Sequence, residues 1–331
     1  MGCGSNGKKL RESVFFNFMN LKQLFYGIST FLPGLSFFHA KGTGGTNSAK
    51  YCYSVWLRHL VWASENGLLK DGMPARIGEL GPGDSLGIGL AALLSGAETY
   101  VGLDAVEHAA SEKNLEIFHE LIVLFRNRAD IPSESEFANI KPQLKSHAFP
   151  AEILTDQILT ETLAQARIDR IVEALKNIKE KDAVICYIAP WQRADLIQKG
   201  SLDMILSQAV LEHVDDLDGA YLAMNEWLKP EGFISHQIDF KSHGLTDAWN
   251  GHWALPDLLW KLIRGRRPYL LNRQPYSVHR KLLDVQGFKL VNEILVKQPS
   301  VYNKSQLAPR FRAMTEDDLT TSGAFIQAVK P

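Results

Sequence analysis

The sequence predicts an α/β fold, a mostly parallel sheet with helices on both faces, and three observations carry that expectation. Arg76 to Leu80 reads as a short strand, followed by a glycine turn, an apolar helix through Ile88, Leu90, Ala91, Leu93 and Leu94, and a second strand at Thr99 to Leu103. The same rhythm resumes downstream with strands at Ala183 to Ile188 and Leu202 to Ser207, a helix around Ala220 to Leu228 and a strand at Phe233 to Asp239. The turn after the first strand is glycine-rich, and an acidic residue, Asp104, ends the second. A β-loop-α-β unit closes through a right-handed crossover, which makes its strands parallel and leaves a ligand crevice at their carboxyl ends.

Taken in order, residues 1 to 75 form a helical lead-in, with helical spacing in Tyr53, Trp56, Leu57, Leu60 and Val61 after a turn at Gly42 to Gly45. The main domain then runs from 76 to 331. Between its second and third strands lies a helical insertion of about residues 107 to 181, too long for an ordinary crossover. Its apolar positions include Leu115, Phe118, Leu121, Ile122 and Phe125, then Ile168, Ile171, Val172 and Leu175. Phe288 to Val296 and Ala324 to Val329 offer a closing pair of strands. Internal repeats and low-complexity segments are absent from the sequence.

Composition narrows the partners. The 36 basic and 37 acidic side chains nearly cancel, so no overall field draws the chain to nucleic acid, and a small or local ligand is expected. Cys3, Cys52 and Cys186 form neither a CxxC pair nor an even framework, which fits a reducing, cytoplasmic compartment. The apolar stretch from Phe15 to Phe38 is broken by Asn17, Asn20, Lys22, Gln23 and Pro33, so it predicts no membrane span; packing against the main domain is expected ahead of peripheral membrane contact. Asn6 stands where an N-myristoylation signal wants Ser or Thr.

In Glu79-Leu80-Gly81-Pro82-Gly83-Asp84-Ser85-Leu86-Gly87, glycines let the backbone turn sharply and approach a ligand, and the next helix presents its amide-rich N-terminus. Asp104, 23 residues after Gly81, is placed to accept hydrogen bonds from both hydroxyls of a ribose. Leu86 occupies the third glycine position of the dinucleotide fingerprint, which weighs against a bound pyrophosphate.

Four motifs in order are similar to those of class I S-adenosylmethionine-dependent methyltransferases: Glu79-x-Gly81-x-Gly83, Asp104, the run Ser207-Gln208-Ala209-Val210-Leu211-Glu212-His213-Val214, and Trp227-Leu228-Lys229-Pro230-Glu231-Gly232. The resemblance spans Arg76 to Phe240 apart from the insertion. It implies a Rossmann-like seven-stranded sheet with an antiparallel last strand and S-adenosyl-L-methionine as cofactor. It also implies a cofactor site of Glu79, Gly81, Pro82 and Gly83 around the methionine portion, Asp104 on the ribose, Ala189, Trp191 and Gln192 near adenine, and Ser207 and Gln208 at the end of strand four. Many members carry an acidic residue after strand three, where this chain has Ala189-Pro190-Trp191-Gln192.

Methyl transfer from a sulfonium is a direct displacement, so the protein chiefly aligns the nucleophile and excludes water. A hydroxyl acceptor benefits from a base, and histidine titrates near neutral pH. His243, in the turn after strand five, is the leading candidate, with His213 and His252 behind it, while alternation points His236 away. Trp249, Asn250, His252 and Trp253, with Arg273 and His279 downstream, compose a candidate acceptor site for a ring-shaped polar molecule. The segment Asn272 to His279 resembles one in methyltransferase-like proteins of bacterial surface-polysaccharide loci, which makes a sugar or glycan precursor the first acceptor to consider. Arg264, Arg266, Arg267 and Arg273 could grip its phosphate. His236, Asp239 and His243 invite a metal reading, but their spacing matches no compact ligand motif, so no metal is expected. A nicotinamide-dependent oxidoreductase on a similar fold and a non-catalytic methyltransferase-like binding protein stand as alternatives.

Overall fold

The computed structural model describes residues 21–32, 45–107, 109, 111–138, 140–180, 183–191, 194–267 and 269–331. The glycine turn at 42–44, Cys3, Asn6 and Gln192 lie outside them, as do residues 15–20 and 33–38 of the apolar N-terminal stretch.

The elements are α1 (Leu21–Ser29), α2 (Ala49–Glu65), β1 (Arg76–Leu80), α3 (Gly87–Leu94), β2 (Thr99–Leu103) and α4 (Ser111–Arg126), then α5 (Asp156–Thr162), α6 (Gln165–Lys176), β3 (Ile185–Ile188) and β4 (Leu202–Gln208). They continue with α7 (Leu217–Trp227), β5 (Leu228–Asp239), α8 (Asp257–Arg264), α9 (Tyr276–Val285), β6 (Lys289–Lys297), α10 (Glu316–Thr320) and β7 (Thr321–Val329). The seven strands lie in the order β3-β2-β1-β4-β5-β7-β6. Strands β1 to β5 pair in parallel, and β7 runs antiparallel to both β5 and β6. This is the Rossmann-like sheet expected from the motifs. Strand β5 starts five residues before the expected Phe233, because Leu228 already pairs with Leu202 and the ladder continues after an irregularity.

Helix α3, GIGLAALL, is buried at every position because β-strands lie beneath it and α2 and α4 cover it, so it needs no polar face. Gly89 is required there: a Cβ at that position would fall 2.1 Å from the Tyr100 ring. The close approach lets Tyr100 reach across to donate a hydrogen bond to Glu79 Oε2 at 2.6 Å.

Helix α2 holds the insertion in place through a buried cation. Arg58, fully buried, donates to the carbonyls of Pro132 (3.0 Å) and Pro142 (2.6 Å) and pairs with Glu134 at 3.2 Å. Tyr53 and Ser54 on the same helix donate to the carbonyls of Ala129 and Pro132. The irregular residues 129–138 and 140–143 are thereby strapped across the carboxyl ends of the strands. Helix α1 docks against α8, with Gly27 so close that a Cβ would lie 2.0 Å from the Leu262 carbonyl oxygen. Among the described residues, no helix is long and apolar enough to cross a membrane.

Candidate active site

The turn after β1 depends on two left-handed residues, Gly81 (φ +65°) and Gly83 (φ +73°), a region closed to most side chains. Gly81 N–H donates to the Leu103 carbonyl at 2.7 Å, tying the turn to the end of β2. A Cβ at Gly81 would also lie 2.6 Å from the Val210 side chain. Thr46 holds the far side: its hydroxyl accepts from Asp84 N–H at 3.0 Å, and its carbonyl accepts from the Ser85 hydroxyl.

Asp104 sits where β2 ends, nearly buried, directly beside this turn. Its Oδ2 accepts from Gly83 N–H at 3.2 Å and from the Tyr187 hydroxyl at 3.4 Å, and its Oδ1 accepts from Ala105 N–H at 2.9 Å. Pro82 and Gly83 are buried, and Gly81 is half-buried at the mouth. Glu79, by contrast, is 1% exposed behind the turn, clamped by Tyr100, and burial pushes its carboxyl up to about 8. On this geometry it braces the turn from behind rather than reaching its surface.

Across the crevice, Trp191 N–H donates to the Asp104 carbonyl at 3.1 Å, so the loop after β3 returns to the same point. The Trp191 ring meets Trp227 edge-on at 6.1 Å, half-buried, and Ala189 is half-buried beside it. Ser207 is fully buried and hydrogen-bonded to His236 Nδ1 at 2.8 Å, which removes it from the crevice surface. Gln208, one residue on, does face open space.

That space is a cavity of about 200 Å³ at the carboxyl ends of β4 and β5, walled by Tyr51, Phe137, Lys141, Gln208, Gln237 and Asp239. Lys241 and the start of β7 complete it. Gln208 is fixed from two sides, with Oε1 3.2 Å from His59 Nε2 and Nε2 donating to the Lys141 carbonyl at 3.1 Å. His59 is buried in α2, bonded through Nδ1 to Ser235 at 2.7 Å, and burial pushes its imidazole down to about 4.

The three candidate bases separate. His213 and His243 come together, ring centroids 5.1 Å apart and edge to face. His243, exposed and at φ +49°, places Nε2 3.9 Å from both Glu212 Oε1 and Asp239 Oδ2. His213 is pushed down to about 4, by burial first and by His243 second. Glu212 is buried, which drives its carboxyl well above the usual range, with Asp239 adding to the effect. His252 does not join them: it is 2% exposed, its ring tilted against Trp253 with centroids 4.6 Å apart.

The acceptor site expected around Trp249 is likewise a packed knot. Trp253 is fully buried with its indole N–H on the Arg273 carbonyl, Asn250 is buried and donates to Ser300, and half-buried Trp249 donates to the Pro299 carbonyl. Arg273 is committed to packing. Its buried guanidinium lies between the Trp260 and Phe311 rings (4.8 and 4.6 Å) and donates to the Leu255 carbonyl, and burial lowers it to about 9. His279, fully buried against Tyr221 at 3.2 Å, is pushed down to about 3 by burial. Arg264 pairs with Asp215, Arg266 lies over Phe31, and Arg267 caps α8 carbonyls, so these arginines do not converge on one anion.

Sequence reasoning missed Tyr51, Phe137, Lys141, Gln237 and Lys241. Gln237 and Asp239 carry a period-two signal along β5 that could have revealed them. Phe137 and Lys141 carry none, because the insertion reaches the cavity only through the Arg58 strap.

Residues 157–235 match the family described as a methyltransferase domain, a stretch from α5 through the first half of β5. Structural likenesses include an S-adenosylmethionine-dependent methyltransferase from Mesorhizobium loti, 14% identical over 81% of this chain and 96% of that one, with a TM-score of 0.40. Others are an S-adenosylmethionine-dependent methyltransferase from Methanosarcina mazei (13%, 77% and 92%, 0.37) and phosphoethanolamine N-methyltransferase 2 from Haemonchus contortus (15%, 88% and 61%, 0.40). No curated protein matches the chain. The chain thus carries a methyltransferase domain match, and its strand order and the glycine turn facing Asp104 agree with the fold that the class I methyltransferase resemblance implies. Its chemistry is methyl transfer from S-adenosyl-L-methionine, which sets aside the nicotinamide alternative.

Proposed function

We propose that the chain methylates a hydroxyl oxygen of a small polar acceptor, with a sugar or glycan precursor as the first class to test. The observation that carries this reading is the cavity at the carboxyl ends of β4 and β5, whose walls mix Gln208, Gln237 and Asp239 with the Tyr51 and Phe137 rings. Amides and a carboxylate over aromatic faces suit a hydroxyl-rich ring, and a cavity of about 200 Å³ takes a small molecule rather than a nucleic-acid strand. Lys141 and Lys241 on its rim favour an acceptor that also carries an anionic group.

The cofactor's ribose would lie on Asp104 and its methionine portion along Gly81 to Gly83, with Trp191 against adenine. Residues 129–138 and 140–143 would roof the acceptor and keep out water, and the Glu212, His213, Asp239 and His243 group beside the cavity would take the acceptor's proton, His243 first. The cytoplasm is the compartment we assign, in keeping with three cysteines that form no CxxC pair and no even framework.

The test is formation of S-adenosylhomocysteine with a panel of hydroxyl sugars, sugar phosphates, amino sugars and amines, in wild type and in Asp239→Asn. Turnover on hydroxyl sugars that falls in the variant is the expected result. Turnover confined to amines would overturn the oxygen assignment.

A further inference from the structure

We propose that Glu212, His213 and His243 form a binding site for a divalent cation of the zinc, cobalt(II) or iron(II) type at the edge of the acceptor cavity. This departs from the sequence expectation of no metal, and it rests on the reading of that cavity as the acceptor site only for what the ion would do there.

Two independent observations carry it. The first is geometric: one carboxylate oxygen and two imidazole nitrogens lie within 4.8 Å of one another. Tetrahedral ligation with bonds of about 2.0 to 2.1 Å sets ligand atoms about 3.3 to 3.4 Å apart, so the widest pair must close by up to about 1.5 Å, which rotation of the exposed His243 side chain supplies. The second is unmet hydrogen-bonding capacity. Glu212 is 3% exposed, and its Oε2 has no hydrogen-bond partner, while Oε1 accepts from Asp239 N–H at 3.2 Å. His213 Nδ1 is also buried without a partner. A carboxylate oxygen and a ring nitrogen of the same cluster, both buried without a partner, are costly unless something meets them.

The surroundings fit an ion that enters from outside and meets a substrate. His243 is exposed, so the cluster runs from a buried anchor to an open side. Asp239, whose Oδ2 is 3.9 Å from His243 Nε2, also lines the acceptor cavity. Mixed imidazole and carboxylate donors favour the borderline cations over magnesium or calcium, which prefer oxygen sets. With its lone pair on the ion, His243 no longer serves as the base, and a hydroxyl oxygen held by the ion loses its proton to water instead. Its lone pair then forms the new O–C bond as the C–S bond of the cofactor breaks, leaving both electrons on sulfur.

The experiment is cobalt(II) titration of the tag-free, chelator-treated full chain, without S-adenosylmethionine, read by visible d–d absorption and by competition with zinc. Saturable binding of one ion is expected, lost in His243→Ala and at least tenfold weaker in Glu212→Gln, and unchanged in His119→Ala on the distant face of α4. Because His243 is exposed, its removal should leave the thermal midpoint intact, so a lost spectrum reports the site and not unfolding. No cobalt spectrum, or one indifferent to both variants, would overturn the proposal. The cavity reading fails separately, through absence of sugar methylation in a protein that still binds cobalt.

Discussion

Replacing Asp104 by alanine tests the cofactor site at its most defined point. The carboxylate is 7% exposed and already accepts from Gly83 N–H, Ala105 N–H and the Tyr187 hydroxyl, so its position is fixed before any ligand arrives. The Tyr187 hydroxyl also lies 3.3 Å from the Val106 carbonyl, an alternative acceptor when a ribose approaches. Hydrogen bonds to a charged group contribute about 1.5 to 3 kcal/mol. Their loss should weaken S-adenosylmethionine by roughly 10- to 150-fold, taking 1.4 kcal/mol per factor of ten. Alanine also strands two main-chain donors, at about 1 to 3 kcal/mol each if they stay dry, so part of the loss could be a collapsed turn. Asp104→Asn separates the two in part: its single amide oxygen still accepts from one main-chain donor, Ala105 N–H or Gly83 N–H, while the charge that strengthens the ribose bonds is lost. Calorimetric titration of both variants with S-adenosylmethionine and S-adenosylhomocysteine, beside thermal melts, is the assay. Affinity unchanged in Asp104→Ala, with a normal melt, would refute the ribose assignment.

Two further outcomes follow from buried groups on α2. Arg58→Ala removes the donor shared by the Pro132 and Pro142 carbonyls and releases the segment that carries Phe137 and Lys141 to the cavity. It should cost about 2 to 5 kcal/mol of stability and raise the acceptor KM by tenfold or more, with the S-adenosylmethionine Kd nearly unchanged; equal losses for both ligands would show that the strap serves the whole site. His59, held near 4 when folded against 6.5 when free, binds fewer protons folded than unfolded. Its contribution is therefore intact above pH 6.5 and is lost as pH falls toward 4, at up to about 1.4 kcal/mol per pH unit. Urea melts at pH 5 and pH 7 should show a shallower pH dependence in His59→Gln than in wild type, and identical slopes would remove His59 from the account.

Much of the fold was legible because its signals are local. Strand β1, the glycine turn, α3 and β2 follow one another within 28 residues, each set by periodicity or by backbone freedom that only glycine has. Asp104 could be placed because its distance from Gly81 is itself fixed by that short unit. The strand order of the far edge was reached through motif resemblance, since pairing of β7 between β5 and β6 leaves no local trace.

The acceptor side was much less legible. Trp249 to Trp253, Arg273 and His279 have the side chains of a polar site and are spent on packing, because exposure depends on what α8, α9 and the segment after β6 lay over them. In the other direction, Phe137 and Lys141 stand some seventy residues before Gln208 in the chain, and they meet it only because a buried arginine on α2 pulls two carbonyls toward it. The sequence by itself determined the sheet, the glycine turn and the acid that faces it, since neighbouring residues settle those through backbone torsions and burial pattern. Tertiary structure alone decided which histidines meet, which arginines are buried and what walls the cavity, because each is an outcome of packing between segments far apart in the chain.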